Sequence, residues 1–389
     1  MYQKLIAIGY AMTDTIAPII EQLFLDLHKN PELSNQEFET TKKLRTCLEQ
    51  ANIRILELGA KTGVIAEIGS GSPVVALRAD IDALPIDEQS YCQYRSTKQG
   101  VMHACGHDLH TSVLMGAAYL LKANEQQLKG TVRLLFQPAE ENFSGALHFI
   151  EIGALNGVDA IFGMHNNPNL TINQMASRAG PFSANVDRIE ITVKGIGAHA
   201  ARPESGIDPI VIGAQIVNAI QTISSRTISG LDPVVVSITK FLGGNTWNVI
   251  PGTVEMEGTV RTLTPDIRLK VKQQLTSIVE NIALSLGAEA ELRWFDGPPS
   301  IINVAKWVNF CQNIAKQEGY EVVDFQPQLG GEDFAHYLHH VPGAFINLGS
   351  QSPYALHHPK FLVNRNMIMP AANYLANLAQ LGLIELAQH

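Results

Sequence analysis

The chain reads as a two-domain α/β protein, a sheet-centred domain interrupted by an inserted domain of ferredoxin-like βαββαβ order. Three observations predict this. Its 389 residues, at roughly 150 residues per domain, call for two domains or three. Through the first half, continuous apolar runs of strand length alternate with helical periodicity, as strands covered on both faces do. Past about Ser183 the texture changes to strict period-two alternation, and the apolar runs return after about Gly297. Hydrophobic residues make up 46%, enough for a large core and too many for wholesale disorder.

The elements follow in order. Helical periodicity covers about Thr15 to Leu27, where Pro31 stops it, and resumes over about Glu37 to Gln50. Apolar strand runs follow at Val74 to Leu77, Val132 to Phe136 and Ala160 to Phe162. Between the first two, Asp108 to Ala123 reads as a helix, with Asp108 placed to cap it. In the insert, Ile189, Ile191 and Val193 alternate with Glu190, Thr192 and Lys194, a half-exposed strand. A helix is expected over about Pro209 to Arg226, with strands near Val234 to Leu242 and Thr253 to Leu263. Thr264-Pro265-Asp266 opens an amphipathic helix to about Leu286, and Glu289 to Phe295 alternates again. That order is βαββαβ. The last apolar strand, Ala344 to Leu348, belongs to the first domain. The expected division is therefore 1–185 with 297–389 as one discontinuous domain and 186–296 as the insert.

Composition narrows the function classes. With 28 Lys+Arg against 37 Asp+Glu the net charge is −9, and no basic run supplies a nucleic-acid footprint. Cys47, Cys92, Cys105 and Cys311 are widely spaced, without a Cys-x-x-Cys, so no disulfide framework is expected. The uncharged stretch Asn366 to Ile384 places Asn373, Asn377 and Gln380 along one face, which predicts a surface helix rather than a membrane span. The N-terminal apolar patch Leu5 to Met12 lacks a small-residue cleavage site and is followed by Asp14, so no secretion signal is expected. A cytoplasmic protein without membrane or nucleic-acid partners is the expectation.

The candidate chemistry gathers at strand ends, where open α/β sheets bind ligands. Asp80 and Asp82 follow one strand, Glu140 and Glu141 another, His165 a third, and His357 and His358 the last. The densest segment is His103-Ala104-Cys105-Gly106-His107-Asp108-Leu109-His110. Extended, positions 103, 105 and 107 project to one side; once helical, His107 and His110 share a face. A thiol and an imidazole two residues apart favour Zn, Co, Ni or Mn over Mg or Ca. Of two adjacent carboxylates, one can bind metal while the other moves protons. Gly195-Ile196-Gly197-Ala198-His199-Ala200 fits a loose dinucleotide fingerprint, but Pro203 sits where its helix should propagate. No G-x-S-x-G or H-E-x-x-H occurs.

Nine segments in order then carry a resemblance along nearly the whole chain. They are Pro31-Glu32-Leu33-Ser34, Leu77 to Pro85, His103 to His110, Gln137-Pro138-Ala139-Glu140-Glu141 and Gly163-Met164-His165. The rest are Gly197-Ala198-His199-Ala200, Asn248-Val249-Ile250-Pro251, Gly330-Gly331-Glu332-Asp333-Phe334 and Leu356-His357-His358-Pro359. With these the chain resembles the amidohydrolase branch of the metallopeptidases that includes aminoacylases, hippurate hydrolases and auxin-conjugate hydrolases.

The resemblance implies a two-metal α/β catalytic domain with an inserted lid domain that dimerises. It implies two divalent ions per subunit, Mn, Zn, Co or Ni, held by Cys105, His107, Glu141, His165 and His357. Glu140 takes the place of the general base and acid, and Asp82 that of a supporting carboxylate. His199 matches a histidine that stabilises the oxyanion in a neighbouring subunit's site. Asn248 and Arg261 match substrate-holding positions of the lid. The implied activity is hydrolysis of small N-acyl amino acids by a homodimer or higher homo-oligomer. A dipeptidase or deacetylase with the same site, and a silent metal-binding relative, are the alternatives. One departure stands out: Phe361 to Asn366 lacks the acidic run that usually follows the Leu-His-x-Pro motif.

Overall fold

The computed structural model describes residues 2–388, with side chains from residue 14 onward, so the side chains of the N-terminal patch Leu5 to Met12 lie outside the described residues. Two compact units emerge. The first comprises Met1–Gly180, Ile302–Gln326 and Asp333–His389, the second Pro181–Ile301 and Pro327–Glu332.

In chain order the first unit begins with α1 (Tyr2–Lys29), α2 (Phe38–Gln50), β1 (Arg54–Ile55), β2 (Val64–Gly69) and β3 (Val74–Asp80). It continues with α3 (His107–Ala123), β4 (Thr131–Gln137), α4 (Gly145–Glu151), β5 (Ala160–Asn167) and β6 (Gln174–Ala176). The second unit holds β7 (Asn185–Lys194), α5 (Pro209–Thr222), β8 (Val234–Gly243), β9 (Thr253–Thr262), α6 (Pro265–Ser285) and β10 (Glu289–Asp296). The first unit closes with α7 (Ala305–Gln317), β11 (Glu321–Val323), α8 (Ala335–Leu338), β12 (Gly343–Gly349) and α9 (Ile368–Leu386).

The first unit's strands form one eight-stranded sheet in the order β1-β2-β4-β3-β5-β12-β6-β11. Its centre is parallel: β4 pairs β3, β3 pairs β5, and β5 pairs β12, all in one direction. These strands are buried on both faces, so they read as continuous apolar runs. After β3 the chain adds β4 on one side and then β5 on the other. The loops beyond the carboxyl ends of these strands therefore converge, the usual ligand position in such sheets. His165 lies inside β5 rather than past its end, because that strand runs five residues beyond Phe162.

Two further sequence expectations need correction. The α3 helix starts at His107, and its cap position is Gly106, at φ 90°. A Cβ there would come within 2.4 Å of the Asn166 amide, so only glycine suits the position. Asp108 sits inside the first turn, where its Oδ1 accepts from Leu109 N–H and its Oδ2 holds His28. The α9 helix is not a surface helix. Leu375, Leu378, Ala379 and Leu383 are at most 2% exposed, and Asn373 and Gln380 are themselves buried. The polar stripe is satisfied internally: Asn373 Nδ2 donates to Met369 O at 2.9 Å and Asn377 Nδ2 to Glu318 Oε1 at 2.7 Å. A helix apolar on most of its faces belongs in a core, and a few amides do not change that. Among the described residues no helix is long and apolar enough to cross a membrane.

The second unit is a four-stranded antiparallel sheet in the order β8-β9-β7-β10. Ile189, Ile191 and Val193 of β7 face inward onto Ile212, Ile216 and Ile220 of α5 and onto Val271, Leu275 and Val279 of α6. Asp208 caps α5 by accepting from Ile210 N–H at 2.9 Å, and Thr264 caps α6 by accepting from Ile267 N–H at 3.4 Å. Its ends are tied by Phe182 N–H to Ile301 O and Ala184 N–H to Gly330 O.

Leu378→Ala should leave a cavity in the core of the first unit. The expected loss is about 2–5 kcal/mol, read as a lower midpoint in urea unfolding with unchanged slope. An unchanged midpoint would return α9 to the surface.

Candidate metal centre

Asp80 and Asp82 end β3 and begin the loop after it, and both carboxylates are buried. Asp82 Oδ1 accepts from His107 Nδ1–H at 3.1 Å, while its Oδ2 takes Ser34 Oγ–H at 2.7 Å and Glu141 N–H at 3.0 Å. With Nδ1 held by Asp82, His107 turns Nε2 toward the remaining donors. That nitrogen and Glu141 Oε1 are buried without a hydrogen-bond partner, 3.8 Å apart. His165 donates from Nδ1 to Asn166 O at 2.7 Å, which turns its Nε2 toward Cys105 Sγ at 3.4 Å. His357 Nε2 lies 3.4 Å from Glu141 Oε1. Cys105, His107 and His165 offer ligand atoms within 4.8 Å of one another, and so do Cys105, Glu141 and His357. Two overlapping donor trios sharing Cys105, with orphaned buried atoms between them, fit a pair of borderline-soft divalent ions.

The electrostatics agree. Burial opposes charging of His107, yet Asp80, Asp82 and Glu141 push its pKa up to about 10. Burial raises the Cys105 thiol well above its usual value, and Glu141, Glu140 and Asp80 add to that. The carboxylates gathered around these donors contribute to both shifts, a charge arrangement that a divalent cation would offset.

Glu140 is 6% exposed, and its Oε2 is 3.9 Å from His107 Nε2. Ala139 before it is left-handed at φ 53°, and its N–H is held by Glu37 Oε1 at 2.8 Å. His357 is likewise left-handed, at φ 65°. Such backbone costs of order 1–3 kcal/mol per residue and persists only where surrounding contacts enforce it. The neighbouring His358 is engaged elsewhere. Its ring stacks on Tyr354 at 4.6 Å, and its Nδ1 accepts from Lys360 N–H at 3.0 Å.

A buried network behind the donors was not foreseen from the sequence. Arg78, fully buried in β3, donates to Asp80 Oδ2 at 2.7 Å, to Asp333 Oδ1 at 2.7 Å and to Gln137 Oε1 at 2.8 Å. Asp333 also accepts from Gln137 Nε2 and from Ala146 N–H at 3.0 Å. His110 donates to Asp80 Oδ1 at 2.6 Å and accepts from Asn166 N–H at 2.9 Å. The available signal was an arginine inside an otherwise apolar strand run, since a lone buried charge demands partners.

The segment lacking acidic residues is structural. Phe361 and Val363 are buried, Asn364 Oδ1 accepts from Asn366 N–H at 3.1 Å, and Arg365 pairs with Glu21 at 2.7 Å. The remaining candidates belong to the second unit. Ala198–His199 pairs with Val249–Ile250, and Ala200 N–H donates to Asn248 O at 3.1 Å, so His199 and Asn248 are neighbours. Exposed His199 accepts from Ala201 N–H at Nδ1, leaving Nε2–H as a donor. Arg261 on β9 bonds Thr259 Oγ1 at 3.0 Å and Leu329 O at 3.4 Å.

Among known proteins, residues 76–381 match the family described as Peptidase family M20/M25/M40. An N-acetylcysteine deacetylase of Bacillus subtilis (strain 168) is 47% identical over 361 residues, covering 92% of this chain and 95% of that protein. The IAA-amino acid hydrolase ILR1-like 4 of Arabidopsis thaliana is 38% identical over 374 residues, covering 92% and 84%. The crystal structure of the Bacillus subtilis YXEP protein, described as a dinuclear metal binding peptidase from the M20 family, aligns with a TM-score of 0.87 at 43% identity. It covers 95% of this chain and 99% of that one.

Asp82→Asn keeps the shape beside His107 but removes the charge that orients its ring. Metal affinity, measured by competition with a chromogenic chelator, should fall about 10–100-fold. Unchanged affinity would mean that Asp82 does not support the centre.

Proposed function

The chain belongs to peptidase family M20/M25/M40, and from that premise we infer that it hydrolyses small N-acyl amino acids to a carboxylate and a free amino acid. It is a metal-dependent amidohydrolase. The observation that carries the reading is a buried carboxylate, Glu140, standing 3.9 Å from an orphaned imidazole nitrogen of the donor cluster. Cys105, His107, Glu141, His165 and His357 would hold two divalent ions, for which Mn, Zn, Co and Ni all suit the donors. When bound, the ions supply Lewis-acid polarisation of the amide carbonyl and acidify water.

The chain's own residues do the rest. Glu140 receives the proton of the attacking water at its carboxylate and returns it to the leaving amine nitrogen. Asp82 fixes the ring of His107 through Nδ1 and the loop of Glu141 through its N–H. His199 donates from Nε2–H to the developing oxyanion, while Asn248 and Arg261 orient substrate, the latter by its planar fork on a carboxylate. Residues 186–296 form the lid and dimerisation domain in this reading. Support for a homodimer comes from β8, an edge strand of its sheet with Phe241 and Leu242 exposed. Unpaired edges with apolar side chains call for a cover. Four cysteines, all unpaired, suit a cytoplasmic location.

Amine release from a panel of N-acetyl (N-acetylcysteine first), N-benzoyl and indole-acetyl amino acids should be lost on chelation and restored by Mn, Co, Zn or Ni. Glu140→Gln should retain its metals while kcat falls about 10²–10⁴-fold. Near-normal turnover with full metal content would overturn the role of Glu140. Sedimentation analysis should find a dimer that Leu242→Lys converts to monomer, and a monomeric parent chain would overturn the lid-edge interface.

A further inference from the structure

A second set of donors converges where the end of α1 meets the loop that follows β3. His28 is 3% exposed. Its Nδ1–H donates to Asp108 Oδ2 at 2.6 Å, and its Nε2 lies 3.3 Å from Glu88 Oε1. Cys92 Sγ lies 3.8 Å from the same oxygen and 3.3 Å from Ser90 Oγ. One ligand atom from each of His28, Glu88 and Cys92 falls within 4.8 Å of the others. We propose that these three residues form a further metal site, separate from the catalytic pair, that takes a zinc-class divalent ion.

The chemistry of the donors points that way. Imidazole nitrogen, carboxylate oxygen and thiolate sulfur together are a zinc-type set, with one position left for water. The histidine is already oriented as a ligand: a carboxylate holds Nδ1–H, so the other ring nitrogen, Nε2, is aimed at the other two donors. Tyr94 packs edge-on against the ring at 5.0 Å and fixes its plane. Glu88 is held from behind by Ser96 N–H at 2.6 Å on Oε2, and its Oε1, which also accepts from Ser90 Oγ–H, faces His28 and Cys92. Charge balances as well. Burial opposes charging of His28, but Asp108, Cys92 and Glu88 raise its pKa well above the ordinary value and so favour the imidazolium. A divalent ion entering this pocket displaces one proton from His28 Nε2 and one from Cys92 Sγ. Two positive charges replace two, so the buried net charge is unchanged and two protons go to solvent. Half-buried Cys92 gives the ion its way in.

The test uses the full-length protein saturated with zinc and freed of excess by gel filtration. Cys92→Ser should retain one equivalent of zinc fewer than the parent by elemental analysis, whatever the catalytic centre holds. In the parent, iodoacetamide alkylation of Cys92, followed by peptide mass spectrometry, should slow about tenfold or more with zinc and recover on chelation. Cys47, also half-buried, is the internal control and should not respond. Equal metal content in Cys92→Ser, or equal alkylation of Cys92 with and without zinc, would overturn the site. Either result would leave His28 as a proton-bridged ion pair and nothing more.

Discussion

Asp80 and Asp82 bring two carboxylates into the interior at the end of a central strand, and most polar contacts around them answer that burial. Desolvation alone would raise both pKa values. Instead His107, His110 and Arg78 hold Asp80 well below the usual carboxylate range, and His107, Ser34 and the Glu141 amide hold Asp82 below it. An unpaired buried ion costs several kcal/mol, so each partner is tied to the existence of the anions. Two imidazoles and a guanidinium are thereby fixed in place by two residues at the end of one strand.

The same network reaches the loop after β4. Asp333 holds Arg78, Gln137 and the Ala146 amide at once. Between Gln137 and Ala146 lie left-handed Ala139 and the two glutamates. Gly145 closes this loop so tightly that a Cβ would sit 1.6 Å from Pro138 O. Strain there persists because Asp333 on one side and Glu37 on the other overdetermine the backbone. The donors are thus placed by contacts within the chain itself, and such preorganisation keeps the reorganisation needed for binding small.

Local pattern made part of this visible in the sequence. The central strands appeared as apolar runs because both faces are covered, and β7 appeared as an alternation because one face is open. The donor segments stood out since metal chemistry needs rare residue types close together, as from Cys105 to His110. What stayed hidden was long-range. Arg78 and Asp333 are 255 positions apart, and no periodicity reports that pairing. The α9 helix reads as exposed in the sequence for a related reason. Three amides at helical spacing look solvated until Glu318 and the backbone of the preceding turn are seen to satisfy two of them. Burial of a polar stripe depends on partners that local sequence does not display.

The missing acidic run after Pro359 can now be interpreted physically. Phe361 and Val363 insert into the first unit's core, Asn364 caps the turn leading into α9, and Arg365 reaches back to Glu21 and lies over the Tyr94 ring at 5.1 Å. This segment locks the C-terminal helix to the N-terminal one. Its polarity can therefore vary with the packing of α1 and α9 without touching the donors, because His357 is held separately, its N–H donating to Ala104 O at 2.8 Å. Selection among acyl groups must then come from side chains that remain accessible. Beside His357, Tyr354 stacked on His358 offers a flat apolar face, 37% exposed. An aromatic acyl group would gain about 0.5–1.5 kcal/mol from such a face beyond its area burial, whereas an acetyl group would gain almost nothing. On that scale a single stacking contact changes affinity several-fold and no more.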